Sequence, residues 1–264
     1  MNILLTNDDG IRAPGLIALA EALSVENEVV IIAPDTEKSG SSHGLTINQP
    51  LFVTETEVGE RTGFAVSGFP ADCVKLGLSH LVKNRPDLVI SGINKGANTG
   101  INVFYSGTIA AAIEATFVGI PAIAVSIDSF VSPDYSFSAQ FTANMVRILK
   151  THGIPEKIVL NVNIPDLPEE HIQGVRLTRQ NHSIFKDKYI RRIAPGNKPY
   201  YWLNGDPPQQ VDDDAIDDCA LAKGLISITP LVADFNVAET RSKDIMKWIE
   251  QADLLEKFYL SFSR

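Results

Sequence analysis

Asn2-Ile3-Leu4-Leu5-Thr6-Asn7-Asp8-Asp9-Gly10, with Pro14-Gly15-Leu16-Ile17-Ala18-Leu19-Ala20 close behind it, is the stretch that decides the architecture. Residues 2–6 form a short apolar run. Leu16, Leu19, Ala20 and Leu23 then recur at helical spacing after a proline that suits a first helical turn. That order is strand, loop, helix. The same rhythm continues along the chain. Residues 29–33, closed by Pro34, and residues 87–90, between Pro86 and Ser91-Gly92, are β-branched runs that predict buried strands. Ile109, Ile113 and Phe117 share a helical face with Ala112 beside them, and residues 122–127 follow as an apolar strand. Phe141, Met145, Ile148 and Leu149 mark another amphipathic helix, and residues 157–162 another strand. Strands alternating with helices over residues 1–165 predict an α/β fold with a mostly parallel, doubly wound, Rossmann-like sheet.

Beyond Asp166 the rhythm changes. Residues 174–178 and 189–193 have strand character, but Pro195, Gly196, Pro199, Gly205, Pro207 and Pro208 interrupt the stretch leading to Val211. Residues 180–211 are therefore expected to be an irregular, protruding hairpin excursion. Within it Lys186, Lys188, Arg191 and Arg192 lie beside Tyr189, Tyr200 and Tyr201, a composition that suits either a solvated arm or an interface. Asp212, Asp213, Asp214, Asp217 and Asp218 form an acidic cluster. It suits a metal, but it suits better the first turn of a helix running to Lys223, where the dipole favours acids. Residues 225–229 predict a further strand. A C-terminal helix over residues 238–264 carries an apolar stripe of Ile245, Trp248, Ile249 and Leu255.

The 264 residues fit one large α/β domain. Apolar residues at 44% and charged residues at 21% exclude disordered, collagen-like and coiled-coil classes. The apolar stretch 118–127 is broken by Gly119 and Pro121 and falls short of the ~20 residues of a membrane helix, so no membrane association is expected. The opening residues lack the basic and apolar regions of a signal peptide, and two cysteines are too few for a disulfide framework. The expected compartment is the cytoplasm. A net charge of -9 opposes non-specific binding to nucleic acid, and no stable nucleic-acid complex is expected.

In an open α/β sheet the ligand crevice lies beyond the carboxyl ends of the strands. Four polar clusters occupy such places. Asp8 and Asp9 follow the first strand, and adjacent acids converge only if the chain turns, which Gly10 permits. Converged carboxylates repel each other unless a cation or a shared proton relieves them. Capping of the next helix is the simpler role for a single acid, but the pair favours a metal. Ser39-Gly40-Ser41-Ser42-His43-Gly44 supplies hydroxyls and free backbone N–H groups, which suit a metal or phosphate and equally a surface loop. His43 has no sequence-local carboxylate partner, so a simple polar contact is its expected role. Asn94, in Ser91-Gly92-Ile93-Asn94, offers a hard carboxamide oxygen, while Lys95 fits either the anion or solvent. Ser106, Gly107 and Thr108 open a helix and present unpaired N–H groups to an anion, although Thr108 also fits an ordinary N-cap. Together these features predict a hard divalent cation held by Asp8, Asp9, a serine and Asn94, beside an anion cradle at Ser106, Gly107 and Thr108. Phosphoryl chemistry needs that juxtaposition. No Walker motif and no G-x-G-x-x-G follows the first strand, so nucleotide triphosphatase and dinucleotide readings lose their fingerprints.

Asn7-Asp8-Asp9-Gly10-Ile11, Ala13-Pro14-Gly15, Ala33-Pro34-Asp35, Ser39-Gly40, Asp72-Cys73-Val74, Ser91-Gly92-Ile93-Asn94, Gly96, Asn98, Tyr105-Ser106-Gly107-Thr108 and Ile228-Thr229-Pro230-Leu231 resemble, in order, the SurE survival-protein family. The resemblance implies a three-layer α/β/α core. It also implies a divalent-metal-dependent phosphomonoesterase that hydrolyses nucleoside 5′- and 3′-monophosphates and, in some members, short polyphosphate. Carried onto this chain, it makes Asp8 and Asp9 the catalytic pair and Asp8, Asp9, Ser39 and Asn94 the ligands of one Mg²⁺ or Mn²⁺ per subunit. Asn98, Ser106, Gly107 and Thr108 fall on the phosphate side. It further implies homodimers that exchange C-terminal segments, and tetramers formed through the hairpin. Two positions depart from the family's pattern. Phe69 stands where threonine is common, and His43 where a small polar residue such as asparagine is common, changes that would bear on substrate choice and not on the metal. Cys73 lies in a stretch whose apolar spacing, Val74, Leu76, Leu78 and Leu81, points to packing.

Two other readings share the acid pair. A receiver-like, Mg²⁺-binding signalling module needs a phosphoacceptor aspartate at a strand end, yet the strand at 87–90 runs into Ser91, Gly92 and Asn94. An enzyme with an aspartyl-phosphate intermediate would place its second acid two residues after the first, whereas Asp9 directly follows Asp8.

Overall fold

The computed structural model describes residues 1–131, 133–153, 157–183, 186–206 and 212–234. The chain divides into two units, Met1–Val232 and Ala233–Arg264, and every named element lies in the first. The expected C-terminal helix, with Trp248 and Ile249, lies outside the described residues.

The order of elements is β1 (Asn2–Thr6), α1 (Pro14–Leu23), β2 (Glu28–Pro34), β3 (Val53–Val58), β4 (Arg61–Val66), α2 (Pro70–Leu76), β5 (Leu88–Lys95), α3 (Gly107–Phe117), β6 (Ala122–Asp128), α4 (Ser136–His152), β7 (Val159–Pro165), β8 (Val175–Leu177), β9 (Lys186–Ala194), β10 (Lys198–Asp206), α5 (Asp217–Ala222) and β11 (Ile226–Leu231). A nine-stranded sheet runs β3-β4-β2-β1-β5-β6-β7-β11-β8, and β9 and β10 form a separate hairpin. The six central strands from β4 to β7 are parallel. β3 is antiparallel to β4 and β11 to β7, so the sheet is mostly parallel, as expected.

Side chains of a strand alternate between faces, and the core follows that period. Ile3 and Leu5 of β1, Ile31 of β2 and Ile90 of β5 pack with Leu16, Leu19 and Leu23 of α1 and Val146 of α4. Leu4, Ile32 and Val89 point the other way, against Cys73 and Val74 of α2 and Ile109, Ala111, Ala112 and Ala115 of α3. Helices therefore cover both faces, giving three α/β/α layers. Cys73 is fully buried in the second cluster, in agreement with the packing role. Among the described residues no helix is long and apolar enough to cross a membrane.

The chain moves from β1 outward to β2 and β4, then returns to the opposite side of β1 as β5. The strand order thus reverses between β1 and β5, and such a reversal leaves a crevice at the carboxyl ends. Asp8 and Asp9 follow β1 there, and Asn94 lies near the end of β5.

The structure departs from the sequence reading in four places. β5 runs on to Lys95 through a register shift between Ser91 and Asn94, where the strand was expected to end at Ile90. β3 and β4 form an edge hairpin that the apolar pattern did not announce. The excursion expected to be irregular is a regular antiparallel ribbon from Lys186↔Asp206 to Ala194↔Lys198, with Pro199 inside it. An edge strand tolerates that proline because its missing N–H faces away from the partner. Asp217 and Asp218 do open α5, but Asp212, Asp213 and Asp214 precede it and pair with Lys223, Arg179 and Arg176.

Candidate active site

The turn after β1 is built by Asn7, a buried residue whose side chain accepts from the Gly10 N–H (3.2 Å) and donates to the Gly10 carbonyl (3.0 Å). Gly10 adopts φ +101°, the left-handed region that glycine enters without strain. This is the turn that lets two adjacent acids face one crevice. Asp8 is 3% exposed, and its carboxylate accepts a hydrogen bond from the Thr108 hydroxyl. Asp9 is less buried and accepts from the Lys95 backbone N–H at 3.1 Å. Asp8 is thus fixed to α3 and Asp9 to the end of β5.

Burial raises the Asp8 carboxyl above its usual range, against the pull of the Thr108 hydroxyl and the N–H groups of Thr108 and Gly107. Asp9 is pushed up to about 6, first by burial and then by the charge of Asp8, with the Lys95 N–H acting the other way. Tyr135 is pushed up to about 12 by burial and by the charges of Asp9 and Asp166, a nearby phenol that the sequence did not single out. The site therefore holds more negative charge than its own donors relieve.

The N-terminus of α3 is close against this pair. Ser106 is the N-cap, its hydroxyl oxygen accepting from the Ile109 N–H at 3.1 Å, so the cap is Ser106 and not Thr108. A Cβ on Gly107 would stand 2.9 Å from Asp8 Cβ, so glycine is what allows the helix to approach the acid. The expected anion cradle is already engaged with a carboxylate, that of Asp8. Ser41 lies over the same glycine, with its buried hydroxyl lacking a hydrogen-bond partner.

Asn94 commits its amide nitrogen to the Gly96 carbonyl (2.6 Å), which leaves the amide oxygen to offer. Ser39 is exposed and donates to Glu37 (2.7 Å), while the neighbouring Lys38 N–H holds the Asp8 carbonyl at 2.7 Å. Ser39 therefore lies on a segment attached to Asp8, with its hydroxyl turned to Glu37. Asn98 is buried in a polar network. Its N–H donates to Asn163 (2.7 Å), its amide to Ser126 (2.9 Å), and its carbonyl accepts from Asn161 (2.8 Å). Asn161 and Asn163 escaped the sequence reading, although two asparagines alternating with apolar residues in a buried strand were a signal. Asp217 is also buried and holds the Gly100 N–H at 2.8 Å and the Asn181 N–H at 3.0 Å, which anchors the loop before α3.

His43 points to Glu114 (2.9 Å), which Lys75 also reaches at 2.7 Å. The polar contact expected of it is thus made, but with a partner 71 residues away. Phe69 caps α2 beside Asp72, whose carboxylate accepts from the N–H groups of Phe69 (2.9 Å) and Thr46 (3.1 Å). A cavity of about 740 Å³ lies between α2, α3 and the 45–51 segment, walled by Leu45, Leu76, Lys75 and Glu114. None of Asp8, Asp9, Asn94 or Thr108 lines it.

The donors gathered at the crevice are oxygens throughout: two carboxylates, a carboxamide and a nearby hydroxyl. That set fits a hard cation such as Mg²⁺ or Mn²⁺, and relief of two repelling carboxylates would give its binding a driving force. Among the described residues no group of three or more His, Cys, Asp or Glu side chains is placed to hold an ion. Neutral oxygens and water would complete the shell around the acid pair.

Comparison with known proteins points to one family. The family model described as Survival protein SurE matches residues 3–187. A protein named 5′-nucleotidase SurE from Syntrophobacter fumaroxidans is 46% identical over 235 residues, 89% of this chain and 94% of that protein. One of the same name from Symbiobacterium thermophilum is 44% identical over 264 residues, 98% of this chain and 99% of that protein. The crystal structure of the SurE protein from Aquifex aeolicus superimposes with a TM-score of 0.82 at 37% identity, covering 95% of this chain and 100% of that one.

Proposed function

This chain belongs to the SurE survival-protein family, and from that premise we propose that it is a divalent-metal-dependent phosphomonoesterase acting on nucleoside 5′-monophosphates. The observation that carries the reading is the buried Asp8 beside Asp9 at the β1/β5 switch, gripped by Thr108 at the start of α3. A bound Mg²⁺ or Mn²⁺, one per subunit, would draw charge from the phosphoryl oxygens and increase the acidity of an attacking water. Asp8, Asp9, Ser39 and Asn94 would hold it, with Ser39 turning from Glu37 to do so. Asp8 and Asp9 orient the attacking water and set the charge of the crevice. Thr108 acts through Asp8, because its hydroxyl is already given to that carboxylate. Ser106 retains its own O–H for a phosphoryl oxygen, since its cap bond uses only the lone pairs of the oxygen. Gly107 keeps the approach to Asp8 clear, and Asn98 holds the loop from its buried network.

Hydrolysis of 3′-monophosphates and short polyphosphate belongs to the same proposal, because the crevice residues address the phosphoryl group that all three share. The experiment is phosphate release from nucleoside 5′- and 3′-monophosphates and from tripolyphosphate, each with Mg²⁺, Mn²⁺ or EDTA. Release from 5′-monophosphates that stops in EDTA is the expected result. A protein inactive on every nucleotide with either metal contradicts it.

We also propose a homo-oligomer, a dimer that assembles further into a tetramer through β9 and β10. Paired residues share a face of the ribbon, so Tyr189 and Leu203 stand on one side and Ile190 and Trp202 on the other, all exposed. A two-stranded ribbon is marginal alone, and apolar residues on both faces invite a partner. The working compartment is the cytoplasm, which keeps a buried thiol such as that of Cys73 reduced.

A further inference from the structure

Residues 35–52, between β2 and β3, contain no helix or strand and carry Ser39 near their start. Connections of that length inside a compact domain usually serve a function. Several bonds hold it: Thr46 donates its N–H and hydroxyl to the Asp72 carboxylate of α2, and others reach backbone. Ser42 donates its N–H to the Tyr105 carbonyl at 3.0 Å and its hydroxyl to the Phe104 carbonyl at 2.7 Å. Its link to the body of α3 is His43, whose Nε2 lies 2.9 Å from Glu114 Oε2 and whose ring stacks on Phe117 at 5.9 Å.

Glu114 is an unusual residue for its place. It is 5% exposed on a helix whose neighbouring positions Ala110, Ala111 and Ala115 are buried and apolar. A carboxylate there is costly unless it is paired, and replacement by an apolar side chain would pack as well. It is paired twice, by His43 from the loop and by Lys75 of α2, and those bonds outweigh burial and keep its carboxyl below the usual range. Thr108, in the first turn of the same helix, grips Asp8. One rigid helix thus holds, within two turns, both segments expected to carry metal ligands.

We propose that Glu114 is a positioning residue for the metal site: by anchoring His43 it fixes the Ser39 segment in register with Asp8. The inference rests on the proposed metal-dependent reading of the crevice, and calorimetric titration of Mn²⁺ with parallel thermal melts separates the two. Glu114→Ala and His43→Ala are each expected to weaken Mn²⁺ binding roughly 10-fold. The double variant should be no weaker than Glu114→Ala, because both remove one connection. Lys75→Met, which breaks only the link to α2, should bind Mn²⁺ as the wild type does. Unchanged Mn²⁺ affinity in both Glu114→Ala and His43→Ala overturns the inference, whatever happens to Tm. A loss in Lys75→Met equal to that in His43→Ala overturns it too, since general loosening of α2 and α3 would then be the cause. Should Glu114→Ala fail to fold, His43→Ala alone decides, its side chain being about one-third exposed. A wild-type protein that takes up no Mn²⁺ removes the metal reading, and this inference with it.

Discussion

The crevice beyond β1 and β5 and the ribbon of β9 and β10 break the ordinary rule of burial in opposite senses. In the crevice, Asp8, Thr108, Asn98, Asn161 and Asn163 are polar and buried. On the ribbon, Tyr189, Trp202 and Leu203 are apolar and about 60% exposed. A buried carboxylate is unfavourable without a counter-charge, and an exposed aromatic strip is unfavourable in water. Each region is therefore incomplete alone, but the proposed completion differs: a cation and a phosphate in one, a protein surface in the other. Catalysis and assembly should accordingly be separable by mutation.

The largest effect should come from the centre of the crevice. Asp8→Asn and Asp9→Asn are expected to lower phosphate release by on the order of 1,000-fold, about 4 kcal/mol, while Tm holds or rises because a repelling charge is gone. Turnover close to wild type in either, at saturating Mg²⁺, would erase the contrast between the regions. Thr108→Val should follow, with a loss of roughly 10- to 100-fold shared equally by nucleotides of different base, since its hydroxyl acts on Asp8 and not on the nucleoside. A defect confined to one base would move Thr108 out of this role.

Acidity gives a third, smaller effect. The Asp9 pKa rises from 3.8 to about 6 on folding, so the folded state binds its proton more tightly. Stability of the metal-free protein should therefore increase as pH falls through 6 towards 3.8, and Mn²⁺ affinity should fall over the same window because the ion competes with the proton. In Asp9→Asn the extra Tm gain between about pH 7.5 and about pH 5, measured against the wild type, should vanish. An identical pH response in the variant would show that Asp9 does not titrate in this range. The least effect on catalysis belongs to the ribbon. Ile190→Lys with Trp202→Glu should abolish the larger assembly in light scattering and leave turnover per subunit within roughly twofold. A matching loss of activity would tie the ribbon to the crevice after all.

The parts of the fold that were legible in the sequence are those whose signal is local. β1, β2, β6 and β7 are apolar runs bounded by breakers, and α1, α3 and α4 show their stripes within a few turns. β3 was hidden because an exposed edge strand, Val-Thr-Glu-Thr-Glu-Val, needs few apolar residues, and β10 because Pro199 and Gly205 argue against a strand unless its edge is free. The acid pair and its turn at Gly10 were likewise local. Pairing across distance could not be read. His43 with Glu114, Asp217 with Gly100 and Thr108 with Asp8 join residues 71, 117 and 100 positions apart, and no spacing rule reports such contacts. For the same reason the sequence suggests an anion site at the start of α3 but could not report its engagement with Asp8.

The central claim is that the acid pair works only with a divalent cation. Its most direct test is phosphate release from a nucleoside 5′-monophosphate by protein stripped of metal, then titrated with Mg²⁺ or Mn²⁺, alongside Asp8→Asn treated identically. Turnover that is absent after stripping, returns saturably with the ion and never appears in Asp8→Asn is the predicted result. Turnover that survives stripping undiminished, or returns equally in Asp8→Asn, would contradict the account.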